Sequence, residues 1–315
     1  MRLPASSHRL MLTGPQALLA VPAMLPGHVR LGSRITHRDL TPSDAGMYLI
    51  SPIPPRLIES NLLVDLDRFG RFRSMCYHYT VPDIDTLEKH FHAELDAPKE
   101  FSRIYHISGF VKPQLPVITG EDTDRIQLLT WGLIPHWVKD EVTANKLRIR
   151  TLNARAETIH DKPTFRSLIN SNRCLILSDG FFEWRHHQGR AYPYYIQLKD
   201  RQPFAFAGLW DNWSHPETGV ELKTFTIITT WANPLLEQVH NRRKRMPVIL
   251  HQADEKPWLR LKLDREAIDD LLVPYEAHRM EVHPVSRLIT TKGTKTNVPD
   301  AIKAVDYPEL PSLKP

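Results

Sequence analysis

Residues 203–210, with the sequence PFAFAGLW, predict a buried strand, because apolar side chains fill nearly every position of a short run. A similar run lies on either side, PYYIQL at 193–198 and TFTIITT at 224–230, and polar or turn-forming residues separate the three. Further upstream, RCLIL at 173–177 and RIQLLTW at 125–131 predict two more strands. Strands at this spacing favour a curved, barrel-like and mainly antiparallel sheet.

Helix signals lie on both sides of these strands. Downstream of Asp83 and Asp85, apolar residues recur at three-to-four spacing up to Leu95, which predicts a helix capped by an aspartate. Further helices are expected around Thr164–Ile169, after the N-cap Asn233 with Pro234 at the first helical position, and after a cap near Asp264. Helices flanking a mainly antiparallel sheet make the expected fold α+β, in a single domain.

The first 74 residues differ from the rest of the chain in composition. They contain nine Arg, five acidic residues and no Lys, whereas the whole chain has a formal net charge of +5. The basicity therefore belongs mainly to this stretch, and a DNA-binding surface elsewhere has to be a local patch. A disordered tail, a processed leader and translated sequence upstream of the true start codon would all have this composition. We expect a leader at 1–74, a folded domain at 75–305 and a C-terminal tail at 306–315.

Neither a membrane protein nor a disulfide framework is indicated. No apolar run approaches the roughly 18 residues that a spanning helix needs, and the stretch from Gln16 to Leu25 is short for a signal peptide and broken by Pro22. Cys76 and Cys174 lie far apart, without a CxxC partner or histidines at metal-ligand spacing. We expect a cytoplasmic protein with no metal site and no membrane partner.

Short segments hold the residues best suited to chemistry. They are MCYH at 75–78, NARAET at 153–158, GFFEW at 180–184, and His240 followed by RMP at 245–247. Each segment alone is weak evidence for a catalytic site. A lone cysteine is usually a small buried hydrophobe, and a lone glutamate beside aromatics is usually a surface or capping residue. In this order, and with WGLIPHW at 131–137 and HPVS at 283–286 followed by Asn297, they resemble the SRAP family over about residues 75–300.

The SRAP proteins are the SOS response-associated peptidases, also called abasic site processing proteins. The resemblance implies a protein that senses abasic sites in single-stranded DNA and bonds to them covalently, which protects the site during the DNA damage response. In the family the nucleophilic cysteine follows the initiator methionine, and the matching residues here are Met75 and Cys76. A free α-amine condenses with the aldehyde of an open abasic sugar, and the neighbouring thiol then closes a thiazolidine ring. An internal cysteine cannot do this, because its nitrogen is in an amide.

If Cys76 is the nucleophile, the preceding residues must be absent from the active protein. We favour a start codon at Met75 followed by removal of that methionine, because an aminopeptidase accepts methionine before a small residue. Cleavage of the leader by the protein itself stays open, since the family name records a peptidase activity. The expected enzyme class is thus an abasic site processing protein with peptidase and lyase activities, the lyase acting by β-elimination through the imine.

By resemblance, Asn153 would bind the substrate or the terminal amine, and Glu183 and His240 would transfer protons. A partly buried carboxyl or an imidazole suits that role near neutral pH. The DNA-binding residues implied are Arg155, Arg166, Trp131, Trp184 and His78, and the basic run at 242–245 adds a concentrated basic patch beside His240. The tryptophans could instead belong to the core. No metal or organic cofactor is implied.

The chain departs from the family pattern at two places. Tyr77 and His78 stand where many members have Gly-Arg, so a phosphate-binding arginine is missing, and a histidine is mostly neutral at pH 7. Residues 243–245 also lengthen the spacing from His240 to Met246, which we interpret as a variant loop.

Two other functions remain open. One is a cysteine hydrolase in which Cys76, His240 and Asn153 form a Cys-His-Asn set. The other is a noncatalytic module that binds single-stranded DNA through arginines and tryptophans. We favour covalent capture, with abasic single-stranded DNA as the partner, a monomeric protein and association with the nucleoid when DNA is bound. Whether replication-associated proteins bind the chain is left open.

Overall fold

The computed structural model describes residues 76–96, 101–291 and 293–314, and the expected leader at 1–74 lies outside the described residues. The strands are β1 (His78–Val81), β2 (Glu94–Leu95), β3 (Ile104–Ser108), β4 (Gln114–Thr119), β5 (Asp122–Trp131), β6 (Asn153–Arg155), β7 (Arg173–Ser178), β8 (Gly180–His187), β9 (Arg190–Leu198), β10 (Phe204–Ser214), β11 (Glu221–Trp231), β12 (Arg245–Pro247) and β13 (Met280–Pro284). The α-helices are α1 (Ile84–Phe91), α2 (Glu141–Arg150), α3 (Leu168–Ser171), α4 (Pro234–Val239), α5 (Gln252–Leu259) and α6 (Arg265–Leu271).

Five strands form a closed barrel. β11, β10, β7, β4 and β5 are antiparallel neighbours in that order, and β5 pairs in parallel with β11 to close the ring. β12 and β6 extend this sheet beside β11, the first antiparallel and the second parallel. The expected α+β fold with a barrel-like, mainly antiparallel sheet is confirmed.

A second, wholly antiparallel sheet packs against the barrel, with strand order β13, β9, β8, β1, β3. On its barrel side, the ring of Tyr79 lies 5.0 Å from that of Trp131 and 5.7 Å from that of Phe206, measured between centroids. On its other side, Phe182 and Tyr195 form a smaller apolar cluster with Val285, Ile289 and Ala301. Strands β1 and β8 therefore lie between two cores, and their two faces meet different surroundings.

Most of the predicted helices are present. α1, α4 and α6 begin after the caps Asp83, Asn233 and Asp264, each of which accepts a backbone N–H with its side chain. α1 ends earlier than the pattern predicted, because His92 adopts a left-handed conformation with φ of 55° and Leu95 belongs to β2.

The helix predicted around Thr164–Ile169 was placed too early. α3 covers only Leu168–Ser171, and turn hydrogen bonds such as Phe165 N to Lys162 O precede it. α2 was missed because it buries only Ala144 and so has no apolar stripe for a periodicity argument to find.

The expected C-terminal tail packs onto the domain. Tyr307, Leu310 and Leu313 contact the main core, and the Arg185 guanidinium donates to the carbonyl of Pro311 at 2.6 Å. Along the described residues, no helix combines the length and the apolar character needed to cross a membrane.

Candidate active site

Four predicted residues from distant parts of the chain meet at one end of the second sheet. Cys76 lies two residues before the start of β1, and Glu183 lies in β8, which pairs with β1. Asn153 begins β6, and His240 is the C-cap of α4. All four are buried, with Glu183 and His240 each 2% exposed.

The contacts centre on Cys76. Its thiol donates to Glu183 Oε1 at 2.5 Å, and the Asn153 amide donates from Nδ2 to the Cys76 carbonyl at 3.0 Å. The second carboxylate oxygen of Glu183 lies 3.5 Å from His240 Nδ1. The glutamate therefore lies between the thiol and the imidazole.

Two buried acceptors in this cluster are unpaired. His240 Nδ1 lies 2.8 Å from the carbonyl oxygen of Arg245, and since a carbonyl only accepts, Nδ1 carries the hydrogen and the neutral ring has its lone pair on Nε2. Nε2 is buried without a hydrogen-bond partner among the described residues, and so is Asn153 Oδ1. Buried polar atoms are usually paired, so two unpaired acceptors in one site indicate a place for a donor group of a ligand.

Burial governs the charges in the site. It raises the pKa of the Cys76 thiol well above its ordinary value, and the neighbouring Glu183 carboxylate raises that pKa further. Burial also raises the pKa of Glu183, while His240 and the hydrogen bond from Cys76 act in the opposite direction. The sulfur is therefore a thiol at neutral pH, with a proton acceptor already hydrogen-bonded to it.

This arrangement differs from that of a Cys-His-Asn hydrolase. In such an enzyme the histidine accepts the thiol proton and the asparagine orients the histidine. Here Glu183 accepts from the thiol, and Asn153 binds the backbone of Cys76. The three residues are close together but do not make the contacts that the hydrolase mechanism needs.

The loop after His240 is anchored by a buried arginine. The Arg245 guanidinium donates to Glu157 Oε1 at 2.5 Å and to the Thr229 carbonyl at 2.7 Å. The basic run at 242–245 is therefore divided: its first three residues are exposed, whereas Arg245 is buried and ion-paired.

The prediction that Trp131 contacts DNA is wrong. Trp131 is fully buried, its indole N–H donates to the Leu152 carbonyl at 2.8 Å, and its ring stacks with that of Phe225. Because its faces and its N–H are all in contact with protein, it cannot stack on a nucleobase.

The other predicted DNA-binding residues keep some exposure. Arg166 is exposed, and Arg155, Trp184 and His78 are partly buried. The Trp184 ring meets the edge of the His78 ring at 4.8 Å. His78 Nδ1 also lies 2.9 Å from His106 Nε2, an interaction that the sequence did not predict.

The C-terminal signature is divided between two places, since His283 lies in β13 and Asn297 contacts β3. His106 Nδ1 is 2.9 Å from Thr296 Oγ1, and Asn297 Oδ1 accepts from the backbone N–H of Tyr105 at 2.7 Å. His283 Nε2 bonds to the Ile302 carbonyl at 2.9 Å. These residues hold 293–304 against the second sheet, on its outer face.

Comparisons with known proteins match this chain to one family. A family model described as SOS response associated peptidase (SRAP) matches residues 75–292. Abasic site processing protein YoqW of Bacillus subtilis (strain 168) is 40% identical over 236 residues, which cover 73% of this chain and 100% of YoqW. Abasic site processing protein HMCES of Xenopus tropicalis is 30% identical over 197 residues, 56% of each chain. A crystal structure of a Bacteroides thetaiotaomicron protein aligns with a TM-score of 0.69 at 36% identity, covering 73% of this chain and 100% of that one.

Proposed function

The chain belongs to the SOS response associated peptidase (SRAP) family, and from this premise we propose that it processes abasic sites in single-stranded DNA by capturing the sugar aldehyde on Cys76. The relatives named abasic site processing proteins support the substrate. One observation carries the mechanism: the Cys76 thiol donates to Glu183 in a site where two further acceptors are unpaired within the described residues.

The active form begins at Cys76 in this proposal, because only a free α-amine reacts with an aldehyde to give an imine. The hydrogen bond from Asn153 to the Cys76 carbonyl would fix the orientation of that residue. The N–H groups of the terminal amine, or a hydroxyl of the sugar, are donors of the kind that the unpaired Asn153 Oδ1 and His240 Nε2 lack. Initiation at Met75 with removal of that methionine, or cleavage of the peptide bond before Cys76 by the protein itself, would each expose the amine.

The reaction conserves atoms as follows. The amine nitrogen adds to the aldehyde carbon, and the carbinolamine hydroxyl takes a proton and leaves as water, which gives an iminium ion. The thiol sulfur then bonds to the same carbon, the C=N electron pair returns to nitrogen, and the thiol proton passes to Glu183. One aldehyde and one aminothiol become a thiazolidine and one water.

Glu183 and His240 have distinct roles in this scheme. Burial raises the pKa of the Glu183 carboxyl, so this group exchanges protons closer to neutral pH than an exposed glutamate does. It would protonate the departing hydroxyl and later accept the thiol proton. His240 Nε2 carries a lone pair, and it would accept a proton while the sugar ring opens.

The imine is also the branch point to a lyase reaction. Loss of a proton from the adjacent sugar carbon expels the 3′ phosphate and cuts the strand, whereas ring closure by the thiol removes the imine. Because the Cys76 sulfur is already hydrogen-bonded to its proton acceptor, closure needs no separate activation step. We expect covalent capture to exceed strand cleavage.

DNA would lie across exposed basic residues of the domain. Arg166 and the partly exposed Arg155 are suited to phosphate contacts, and Trp184 to contact with a base edge. The proposed species is a monomer bound to one strand.

The test compares the full chain with a version that starts at Met75. Each is incubated with single-stranded DNA carrying one abasic site, and the products are resolved on a denaturing gel and by intact-mass measurement. We expect a heat-stable adduct, with the combined mass less one water, only from protein whose Cys76 is terminal.

Cys76→Ser is the matched control, because serine keeps the amine but lacks the thiol. It should give an imine that borohydride traps and heat destroys. If folded protein with a terminal Cys76 forms no adduct, covalent capture is wrong and simple DNA binding becomes the better explanation.

A further inference from the structure

Trp231 is the most exposed tryptophan among the described residues, with 59% of its surface accessible to solvent. It ends β11 and pairs across the sheet with Arg245 at the start of β12. The Arg245 guanidinium carbon lies 4.9 Å from the centroid of the tryptophan ring. One face of the indole is thus covered by a cation, and the exposed area lies elsewhere on the ring.

The cation under the ring is itself held in place. Arg245 is buried and bonds to Glu157 and to the Thr229 carbonyl. Its charge is therefore already paired, and its side chain is not free to bind a phosphate. The guanidinium instead holds the indole ring in one orientation, which lowers the entropy that a ligand would lose on stacking there.

The same arginine connects Trp231 to the candidate active site. The Arg245 carbonyl accepts the hydrogen bond from His240 Nδ1. In the parallel pairing of β6 with β11, Asn153 lies beside Ile227, four residues before Trp231. Four strand residues span roughly 13 Å. The Trp231 ring is thus close enough to Cys76 to reach a neighbouring nucleotide when the abasic sugar of a DNA strand is bound at Cys76.

The charges nearby favour a nucleic acid over a protein surface. Arg155 pairs with Thr229, two residues before the tryptophan, and the backbone of Lys244 accepts a hydrogen bond from Ala232, the residue after it. Arg242, Arg243 and Lys244 are all exposed. An open aromatic ring among cations is the arrangement that binds unpaired bases, by stacking on the base and attracting the backbone.

We propose that Trp231 is a stacking platform for an unpaired nucleobase next to the abasic site. The inference rests on the proposed function for the position of the strand, and it adds a base-binding subsite to the sugar-binding one. Trp231 touches no reacting group, so its contribution is to strand affinity and not to the chemical step.

The experiment measures fluorescence anisotropy of labelled single-stranded DNA that carries a tetrahydrofuran abasic analogue, which has no aldehyde and so cannot be captured covalently. Trp231→Leu should bind about 5- to 150-fold more weakly, the effect of one lost base–aromatic stack. Trp231→Phe keeps an aromatic face and should retain most of the affinity. Leu261→Ala, at another exposed apolar residue, is the matched surface control and should bind as the parent does.

A second series of DNA strands identifies which nucleobase stacks on Trp231. Each nucleotide flanking the analogue is replaced in turn by a further tetrahydrofuran unit, and the loss of affinity is measured for the parent and for Trp231→Leu. Removing the base at the stacked position should weaken binding by the parent. The same change should not weaken binding by Trp231→Leu any further, because this variant has already lost the stack. The proposal is wrong if Trp231→Leu binds the original strand within twofold of the parent. It is also wrong if the ratio of parent affinity to variant affinity is the same on every strand of the series.

Failure here is distinguishable from failure of the proposed function. Adduct formation by the parent protein on a strand with a true abasic site tests covalent capture separately. If the parent protein captures the site but the variant loses no affinity, only the stacking platform is refuted. If the parent captures nothing, covalent capture is refuted whatever the anisotropy shows.

Discussion

Two histidine-containing clusters lie on opposite sides of the second sheet, and they differ in how their polar atoms are paired. On the barrel side, His240 has one bonded nitrogen and one buried nitrogen without a partner among the described residues. On the outer side, both nitrogens of His106 are bonded, one to His78 and one to Thr296. Cys76 belongs to the first cluster and His78, two residues later, to the second.

The difference separates a site from a structural network. Pairing a buried polar atom removes the cost of its desolvation, so the His106 cluster stabilises the attachment of the C-terminal segment. The unpaired atoms near Cys76 retain that cost until a donor arrives. Changes in the first cluster should therefore alter chemistry, and changes in the second should alter stability.

The largest expected effect is on the chemical step. Glu183→Gln keeps the shape of the side chain but removes the group that accepts the thiol proton, so the rate of adduct formation at saturating DNA should fall about 100-fold or more. Affinity for the tetrahydrofuran strand should stay unchanged, because the residue is buried. Rates come from quenched samples on denaturing gels, and an unchanged rate would remove Glu183 from the mechanism.

The second prediction concerns stability against pH. Burial lowers the pKa of His106 to about 4. The unfolded chain binds the proton near the ordinary value and the folded chain does not, so the free energy of unfolding should decrease as pH falls from about 6.5 towards 4. Between pH 7.5 and pH 5 the loss from this residue is on the order of 2 kcal/mol.

Urea unfolding at the two pH values checks this. His106→Gln should show a smaller decrease than the parent, while the exposed His278→Gln keeps the parent's decrease. Adduct formation by folded His106→Gln should stay within a few fold of the parent rate. A large loss of rate, or an unchanged pH profile, would break the distinction between the two clusters.

The sequence predicted the strands and the residues of the candidate active site, but it did not predict the contacts that these residues make. The apolar runs at β7, β9, β10 and β11 are local signals, and the residues Cys76, Asn153, Glu183 and His240 were found through segment order. The thiol–carboxylate hydrogen bond joins residues 107 positions apart, a distance that no periodicity argument covers.

Two tryptophans show where such arguments stop. Trp131 and Trp231 both end apolar strands, yet the first is 0% exposed and the second 59%. The rings of Tyr79 and Phe225 pack against Trp131, whereas Trp231 has the Arg245 side chain beside it. Which strand end is covered depends on how the second sheet and the loops pack, and one strand's sequence does not contain that information.

The smallest expected effect is at His78, the predicted DNA-binding residue that lies in the outer cluster with His106. Burial lowers the pKa of His78, and the neighbouring His106 lowers it further. The groups facing this pair are Trp184 and Phe182 from β8 and Thr296 from the C-terminal segment, none of them charged. His78 is therefore neutral at pH 7.5, and His78→Gln should change affinity for the tetrahydrofuran strand by less than twofold.

His78→Arg places a permanent cation at the same position and sharpens the comparison. If a phosphate lies within its reach, binding should tighten and the slope of log affinity against log salt should steepen by about one. Anisotropy titrations at several salt concentrations measure both quantities. A large loss of affinity in His78→Gln at pH 7.5 would mean that the neutral imidazole itself donates to the DNA, and the outer cluster would then belong to the binding site as well as to the fold.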